Sequence, residues 1–287
     1  MKIVDILKER AKGFAFEFFP PKTEASRAAL LLALRALKRY QPLYASMTYG
    51  AAGATQERTA EAVNMLLAEK DLVVMPHLTC IGAKQDTVKN ILDGYRKNGI
   101  ENIMALRGDP PKDASNSDFS QRDFRYAKDL ISLIRGYGHF CIGVAVYPEG
   151  HIETSSLDED LEYAKQKIDA GADFAVSQMF FDNRHYYALL ERMKKRGVNV
   201  PVLPGILPLT DIEKVKQFTS ICRTTIPKSI QAKLTRLNKN PLDMEKAGID
   251  FTIEQCRKLI KNGIRHLHFF TLNKLEIITK ILAAIEL

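Results

Sequence analysis

The chain has 287 residues, 46% hydrophobic and 26% charged, a composition that excludes a disordered or fibrous protein and allows two domains or one large α/β barrel. Lys and Arg exceed Asp and Glu by 42 − 34 = +8, which favours phosphate- or carboxylate-bearing partners; with no basic stripe interleaved with aromatics, no nucleic-acid partner is expected. Cys80, Cys141, Cys222 and Cys256 form no C-x-x-C pair and suit a reducing cytoplasm without structural zinc or disulfides, and no apolar run is long enough for a membrane span.

Residues 1–10 are too acidic and too short in apolar run for a signal peptide. The first predicted strand, 14–19, alternates faces: Phe14, Phe16 and Phe18 pack outward, while Ala15, Glu17 and Phe19 share the other face. Glu17 is therefore expected to point into a barrel near its upper rim. Desolvation there would raise its pKa and make it a general acid; the alternative is a Glu17 paired to a nearby Lys or Arg. A helix over 24–40 leads to a strand at 43–48 that ends in Thr48, and a helix over 56–70 to a strand at 73–79 that carries His77. Cys80 follows without a neighbouring base, so a cysteine nucleophile is not expected.

A helix at 86–98 precedes a strand at 102–106, which runs into Arg107-Gly108-Asp109-Pro110-Pro111. Beyond a helix at 123–136, the strand at 141–147 ends in Tyr147, with Glu149 and His151 just after. In the next helix, 157–170, Lys167 either meets a phosphate or belongs to a solvated face. Gln178 lies on the sixth strand, 174–179, which a helix at 185–196 separates from the seventh, 202–206. Residues 221–262 read as extra helices broken by Pro227 and Pro241, before a last strand at 265–270 and then Thr271, Asn273 and Lys274. His266 and His268 share a strand face, a pattern open to metal binding with His77 and Asp109, but convergent carboxylates and further histidines are missing, and no metal is expected.

Eight strands separated by helices predict a (β/α)8 barrel with extra helices between strands 7 and 8, spanning 1–287 as one domain. An open doubly wound sheet is the alternative, but it usually carries G-x-G-x-x-G after its first strand, which is absent. Polar residues at so many strand ends, where barrel sites form, point to a ligand of considerable size.

These segments, from Phe16-Glu17-Phe18-Phe19-Pro20-Pro21-Lys22 through Thr48-Tyr49-Gly50-Ala51, Pro76-His77-Leu78-Thr79-Cys80, Leu106-Arg107-Gly108-Asp109-Pro110-Pro111, Tyr147-Pro148-Glu149, Asp169-Ala170-Gly171-Ala172, Gln178-Met179-Phe180-Phe181-Asp182 and Pro204-Gly205-Ile206-Leu207-Pro208 to His268-Phe269-Phe270-Thr271-Leu272-Asn273, occur in order over nearly the whole chain. The sequence resembles the methylenetetrahydrofolate reductase family, in its bacterial FAD-dependent form without a regulatory domain. The resemblance implies ping-pong reduction of 5,10-methylenetetrahydrofolate to 5-methyltetrahydrofolate, with NADH or NADPH as hydride source, supplying methyl groups for methionine synthesis. It also implies a homo-oligomer in the cytoplasm, and it leaves open electron supply through a partner subunit.

Carried over residue by residue, the resemblance makes Glu17 the acid that protonates folate N10 and Asp109 the aspartate beside flavin and folate. Thr48, His77, Arg107, Gly108, Tyr126, Ala127, Ala145, Tyr147, His151, Asp160 and Lys167 fall on flavin positions, together with Asp109. Arg107 and Lys167 are candidates for the flavin or its pyrophosphate. Gln178 and Lys274 fall on folate positions, and Phe218 on a substrate aromatic that could equally be core. There are departures: Tyr163 and Gln166 stand where a well-known bacterial member has an amide and an arginine, and Lys214 and Lys274 replace a glutamine and an arginine. Lysine keeps the charge but lacks arginine's bidentate fork. Two other classes stay open, a barrel metallohydrolase and a non-catalytic folate- or flavin-binding subunit.

Overall fold

The computed structural model describes residues 1–49, 53–109, 123–237 and 239–285. The motif residues Gly50, Ala51, Pro110 and Pro111 lie outside the described residues. Nine parallel strands are present: β1 Gly13–Phe18, β2 Ala45–Met47, β3 Val74–Thr79, β4 Asn102–Leu106, β5 Cys141–Val146, β6 Phe174–Ser177, β7 Val202–Leu203, β8 Gly205–Ile206 and β9 His266–Phe270. They are ordered β7-β6-β5-β4-β3-β2-β1-β9-β8. β7 pairs with β6 and β8 with β9, so the ring closes through the one residue between them, Pro204. Proline has no N–H to donate and interrupts the strand predicted at 202–206. Its carbonyl still accepts from His268 N at 3.1 Å. The nine strands are thus the eight staves of the expected barrel, the seventh split in two.

The helices are α1 Ile3–Glu9, α2 Glu24–Lys38, α3 Gly53–Ala68, α4 Gln85–Lys97, α5 Ala127–Gly136, α6 Leu157–Asp169, α7 Asn183–Lys195, α8 Ile212–Cys222, α9 Lys228–Leu237, α10 Pro241–Lys261 and α11 Leu275–Ala284. Several starts are set by side chains that take up free backbone N–H groups: Thr23 bonds Ser26 N, Ser156 bonds Glu159 N, and Asn240 bonds Leu242 N ahead of Pro241. The extra helices expected before the last strand are the later part of α8 with α9 and α10. They share a satellite core of Leu207, Leu209, Ile212, Leu234 and Met244.

Side-chain alternation divides the barrel into an outer and an inner core. Phe14, Phe16 and Phe18 join Leu30, Leu34 and Ile278 of the outer helices, each burial worth roughly 1.5–3 kcal/mol. Ala15, Tyr44, Met75, Met104, Cys141, Phe174 and Leu203 fill the inside, closed below by Ile3, Ile6 and Leu7 of α1. Asn102 ties α1 there, accepting from Ile3 N at 2.7 Å and donating to the Met1 carbonyl at 3.0 Å. Among the described residues no helix is long and apolar enough to cross a membrane.

The repair of the split strand is tight. Gly205 N donates to Ser177 Oγ at 2.9 Å, and a Cβ on Gly205 would lie 2.1 Å from the Ser177 carbonyl oxygen and 2.6 Å from the Phe270 ring. Gly205→Ala is expected to lower unfolding free energy by about 1–3 kcal/mol or more, as overpacking does. Gly94→Ala, on an exposed face of α4 with nothing within 4 Å of the new methyl, should instead raise it by roughly 0.5–1 kcal/mol. Urea unfolding of both variants checks the opposite signs.

Candidate active site

The site forms at the C-terminal ends of the strands. β1 places Glu17 on the inward face, level with Ser46 of β2 and Phe270 of β9. The residue is 8% exposed. Its backbone carbonyl is held by Thr271, which donates from Oγ1 at 2.6 Å and from N at 3.2 Å. His268 Nε2 lies 3.2 Å from Glu17 Oε2 in a hydrogen bond, and His268 Nδ1 lies 3.0 Å from the Tyr44 hydroxyl. His77 Nε2 reaches within 3.3 Å of the same carboxylate oxygen but off the hydrogen-bonding line. Among the described residues this buried nitrogen and Ser46 Oγ have no hydrogen-bond partner.

This corrects one expectation. Burial does push the Glu17 pKa up, but the nearby His77 and His268 imidazoles and the hydrogen bond from His268 outweigh it, lowering the carboxyl to about 2. Glu17 is neither a lone desolvated acid nor the partner of a Lys or Arg; its partners are imidazoles. His268 is committed to Glu17 and Tyr44, while His266 Nε2 is bonded to the Arg10 carbonyl at 2.8 Å, so the two do not act as a metal pair. No group of three or more metal-ligating side chains is placed to hold an ion among the described residues.

Glu17 and His77 line a cavity of about 260 Å³ together with Arg107, Gly108, Asp109 and Gln178. A second cavity of about 260 Å³ opens outward over the ends of β4 and β5, between α5 and α6, and includes Tyr126, Ala127, Asp160, Tyr163, Gln166 and Lys167. Leu106, Arg107, Ala145, Tyr147 and His151 line both, so the two adjoin. The Tyr126 and Tyr163 rings face each other with centroids 5.6 Å apart. Arg107 holds the Glu153 carboxylate with both terminal nitrogens. Lys167 is half-buried, bonds the Ala145 carbonyl and sits 5.7 Å over the Tyr147 ring; desolvation lowers its pKa to about 8, partly opposed by the Asp160 charge. Asp160 accepts from His151 N at 3.2 Å, and burial raises its pKa. The Gln178 amide oxygen accepts from Met179 N at 2.8 Å, which fixes its orientation.

Three expected residues stand outside both cavities. Thr48 caps the end of β2, its N donating to the Phe18 carbonyl. Phe218, half-buried on α8, packs on the satellite core, as its core reading anticipated. Lys274 begins α11, and Lys214 is exposed and paired with Asp211. Conversely, Tyr44, Ser46 and Glu153 were not singled out from the sequence. Tyr44 and Ser46 carried a signal, since alternation places both on the inward face of their strand.

The family model described as methylenetetrahydrofolate reductase matches residues 2–286. This chain belongs to the methylenetetrahydrofolate reductase family. Within the family it is 34% identical to the 5,10-methylenetetrahydrofolate reductase of Pectobacterium carotovorum, over 92% of this chain and 86% of that one. It is 35% identical to methylenetetrahydrofolate reductase 1 of Schizosaccharomyces pombe over 95% of this chain. It spans 46% of that relative and 49% of an Arabidopsis thaliana member, about half of these longer chains. A solved Clostridium thermocellum protein, described as uncharacterized and as binding two copies of 5-methyl-5,6,7,8-tetrahydrofolic acid, shares the fold with a TM-score of 0.63 at 14% identity, over 98% of this chain and 96% of that one.

The Glu17 environment has a consequence for acid stability. A carboxyl held at about 2 against an ordinary 4.5 contributes stability fully present above pH 4.5 and lost as pH falls through 2. The difference in urea midpoint between wild type and Glu17→Gln should therefore shift in favour of the variant as pH is lowered from 6 towards 3. A difference that stays constant over this range would mean that the imidazoles do not hold the charge.

Proposed function

We propose that this chain reduces 5,10-methylenetetrahydrofolate to 5-methyltetrahydrofolate with FAD and NADH or NADPH, providing methyl groups for methionine synthesis. The observation that carries the reading is the buried Glu17 at the floor of a cavity shared with Asp109 and Gln178, adjoining a second cavity lined by the flavin positions. FAD fits the residues present: the His77 Nε2, buried without a hydrogen-bond partner, and the half-buried Lys167 are polar groups suited to such a ligand, and Arg107, Tyr126, Ala127, Ala145, Tyr147, His151 and Asp160 would hold it with them. Bound there, FAD supplies hydride transfer from the nicotinamide to the folate one-carbon unit.

The protein's own residues do the rest. The folate ring opens when N10 is protonated, and Glu17, a carboxylate at rest, is the group placed to relay to N10 a proton taken from solvent or from a neighbouring imidazole. Opening leaves a cationic iminium, and the Asp109 carboxylate opposes its charge. The amide of Gln178 offers both a donor and an acceptor to the pterin edge. The basic balance of the chain suits a substrate rich in carboxylates.

Glu17→Gln should separate the two halves of the reaction. Flavin reduction by NADH needs no protonation of N10 and should stay within a few-fold of wild type, whereas flavin oxidation by methylenetetrahydrofolate should slow by about 10²–10⁴-fold. Stopped-flow absorption near the flavin band, at about 450 nm, follows each half. Equal slowing of both would make Glu17 a structural residue.

Lys167→Ala should weaken FAD binding about tenfold or more, since a charge-assisted hydrogen bond contributes roughly 1.5–3 kcal/mol. Titration of flavin fluorescence reads this directly, and unchanged affinity would remove Lys167 from the flavin site.

A further inference from the structure

Tyr126, Lys128, Tyr163 and Gln166 line the outer cavity and not the inner one. Lys128 stands in the first turn of α5. A cation there meets the positive end of the helix dipole, so helix stability does not account for it. Its half-buried side chain is held by α6, with Nζ donating to Gln166 Oε1 at 3.0 Å. The other end of that amide, Nε2, donates to Glu162 Oε1 at 3.4 Å. Turning the amide over would set its N–H groups against the ammonium and its oxygen against the carboxylate, so its orientation is fixed. The Tyr126 ring props the lysine, its centroid 5.9 Å from Nζ, and is itself backed by the Tyr163 ring. Among the described residues no carboxylate pairs with Lys128, whereas Arg107 is held by Glu153.

We propose that Lys128, set in place by Gln166, is a binding residue for the diphosphate of FAD; this rests on the reductase reading above. The reacting ring of the flavin belongs beside the inner cavity, where Glu17, Asp109 and Gln178 gather. The outer cavity is the room left for the rest of the molecule, whose charged part is the diphosphate. Two lysines line that cavity alone, Lys167 on α6 and Lys128 on α5. A diphosphate carries a charge on each phosphate group, and the two lysines match it in number. The carboxylates of the cavity are engaged elsewhere, Glu153 by Arg107 and Asp160 by the His151 N–H. Gln166 is suited to its part because it is neutral: an amide orients the ammonium without cancelling its charge, which stays available to a ligand. A carboxylate at that position would spend the charge inside the protein. The free N–H groups at the start of α5 add a field of the same sign.

The test measures binding and does not depend on turnover. Flavin fluorescence is titrated in the full-length chain with FAD and with riboflavin, which has the same ring and no phosphate. Lys128→Ala should weaken FAD binding about tenfold or more, as loss of a charge-assisted hydrogen bond does, and leave riboflavin binding within about twofold of wild type. The FAD affinity of the variant should also fall less steeply with added salt, since one screened ion contact has gone. Because the Gln166 amide reaches the ammonium, an arginine at 166 can bring a guanidinium to the same region, and Gln166→Arg added to Lys128→Ala should recover most of the loss. Gln166→Glu keeps the reach and cancels the charge, so with Lys128 intact it should weaken FAD and spare riboflavin. Equal losses for FAD and riboflavin would make Lys128 a prop for Tyr126 and overturn the proposal, as would an unchanged FAD affinity. Should Lys128→Ala fold poorly, the Gln166→Glu titrations decide by themselves. A wild-type chain that binds neither flavin loses the reductase reading together with the proposal, whereas one that binds FAD with an affinity untouched by these variants loses the proposal alone.

Discussion

A carboxylate stands inside a ring of parallel strands, and much of the architecture serves to make that tolerable. Burying an unpaired charge costs several kcal/mol even after relaxation. Glu17 is therefore surrounded by elements distant in sequence: β3 brings His77, β9 brings His268, and Thr271 just beyond β9 holds the Glu17 carbonyl. One carboxylate oxygen faces both imidazoles, so β3 and β9 are held to a common point inside the ring. The Tyr44–Phe174 and Tyr44–His268 ring contacts brace the inner core below it.

The barrel is unequally filled, and the inequality sets where ligands fit. Aromatic and thioether side chains crowd its lower half: Tyr44 just before β2, Met75 of β3, Met104 of β4 and Phe174 of β6. At the upper ends of β4 and β5 the small Ala145 lines both adjoining cavities, which meet there. On the opposite side the ring is drawn tight across Pro204 and Gly205, where even a methyl group has no space. Fit of a long ligand along the β4–β5 side is a consequence of where the large and small inward residues fall.

The barrel and most site residues were legible because strand alternation and polar strand ends are local signals. Glu17, Asp109, His77, Gln178 and the Arg107-to-Lys167 group come together around the two cavities. Other features depend on register between remote strands. Burial of Glu17 could be read from its neighbours, but not the imidazole of a residue 251 positions away, and so the direction of its pKa was reversed. Helix α1 was missed because its seven residues have no side-chain cap and are held in place only by tertiary contacts under the barrel. Thr48, Phe218 and Lys274 matched by motif position, but motif position says nothing of which way a loop or helix face turns.

The sealed floor beneath Tyr44 has a kinetic meaning. Ile3, Ile6 and Leu7 of α1 close the lower end with Phe174, and Tyr44 and His268 have no surface of their own. Among the described residues, Glu17, slightly exposed at the mouth, links these two buried side chains to the cavity above. Any molecule seated above it acts as a stopper. While it stays it covers the exposed edge of Glu17, so exchange between the described interior and water is slowed until the occupant departs.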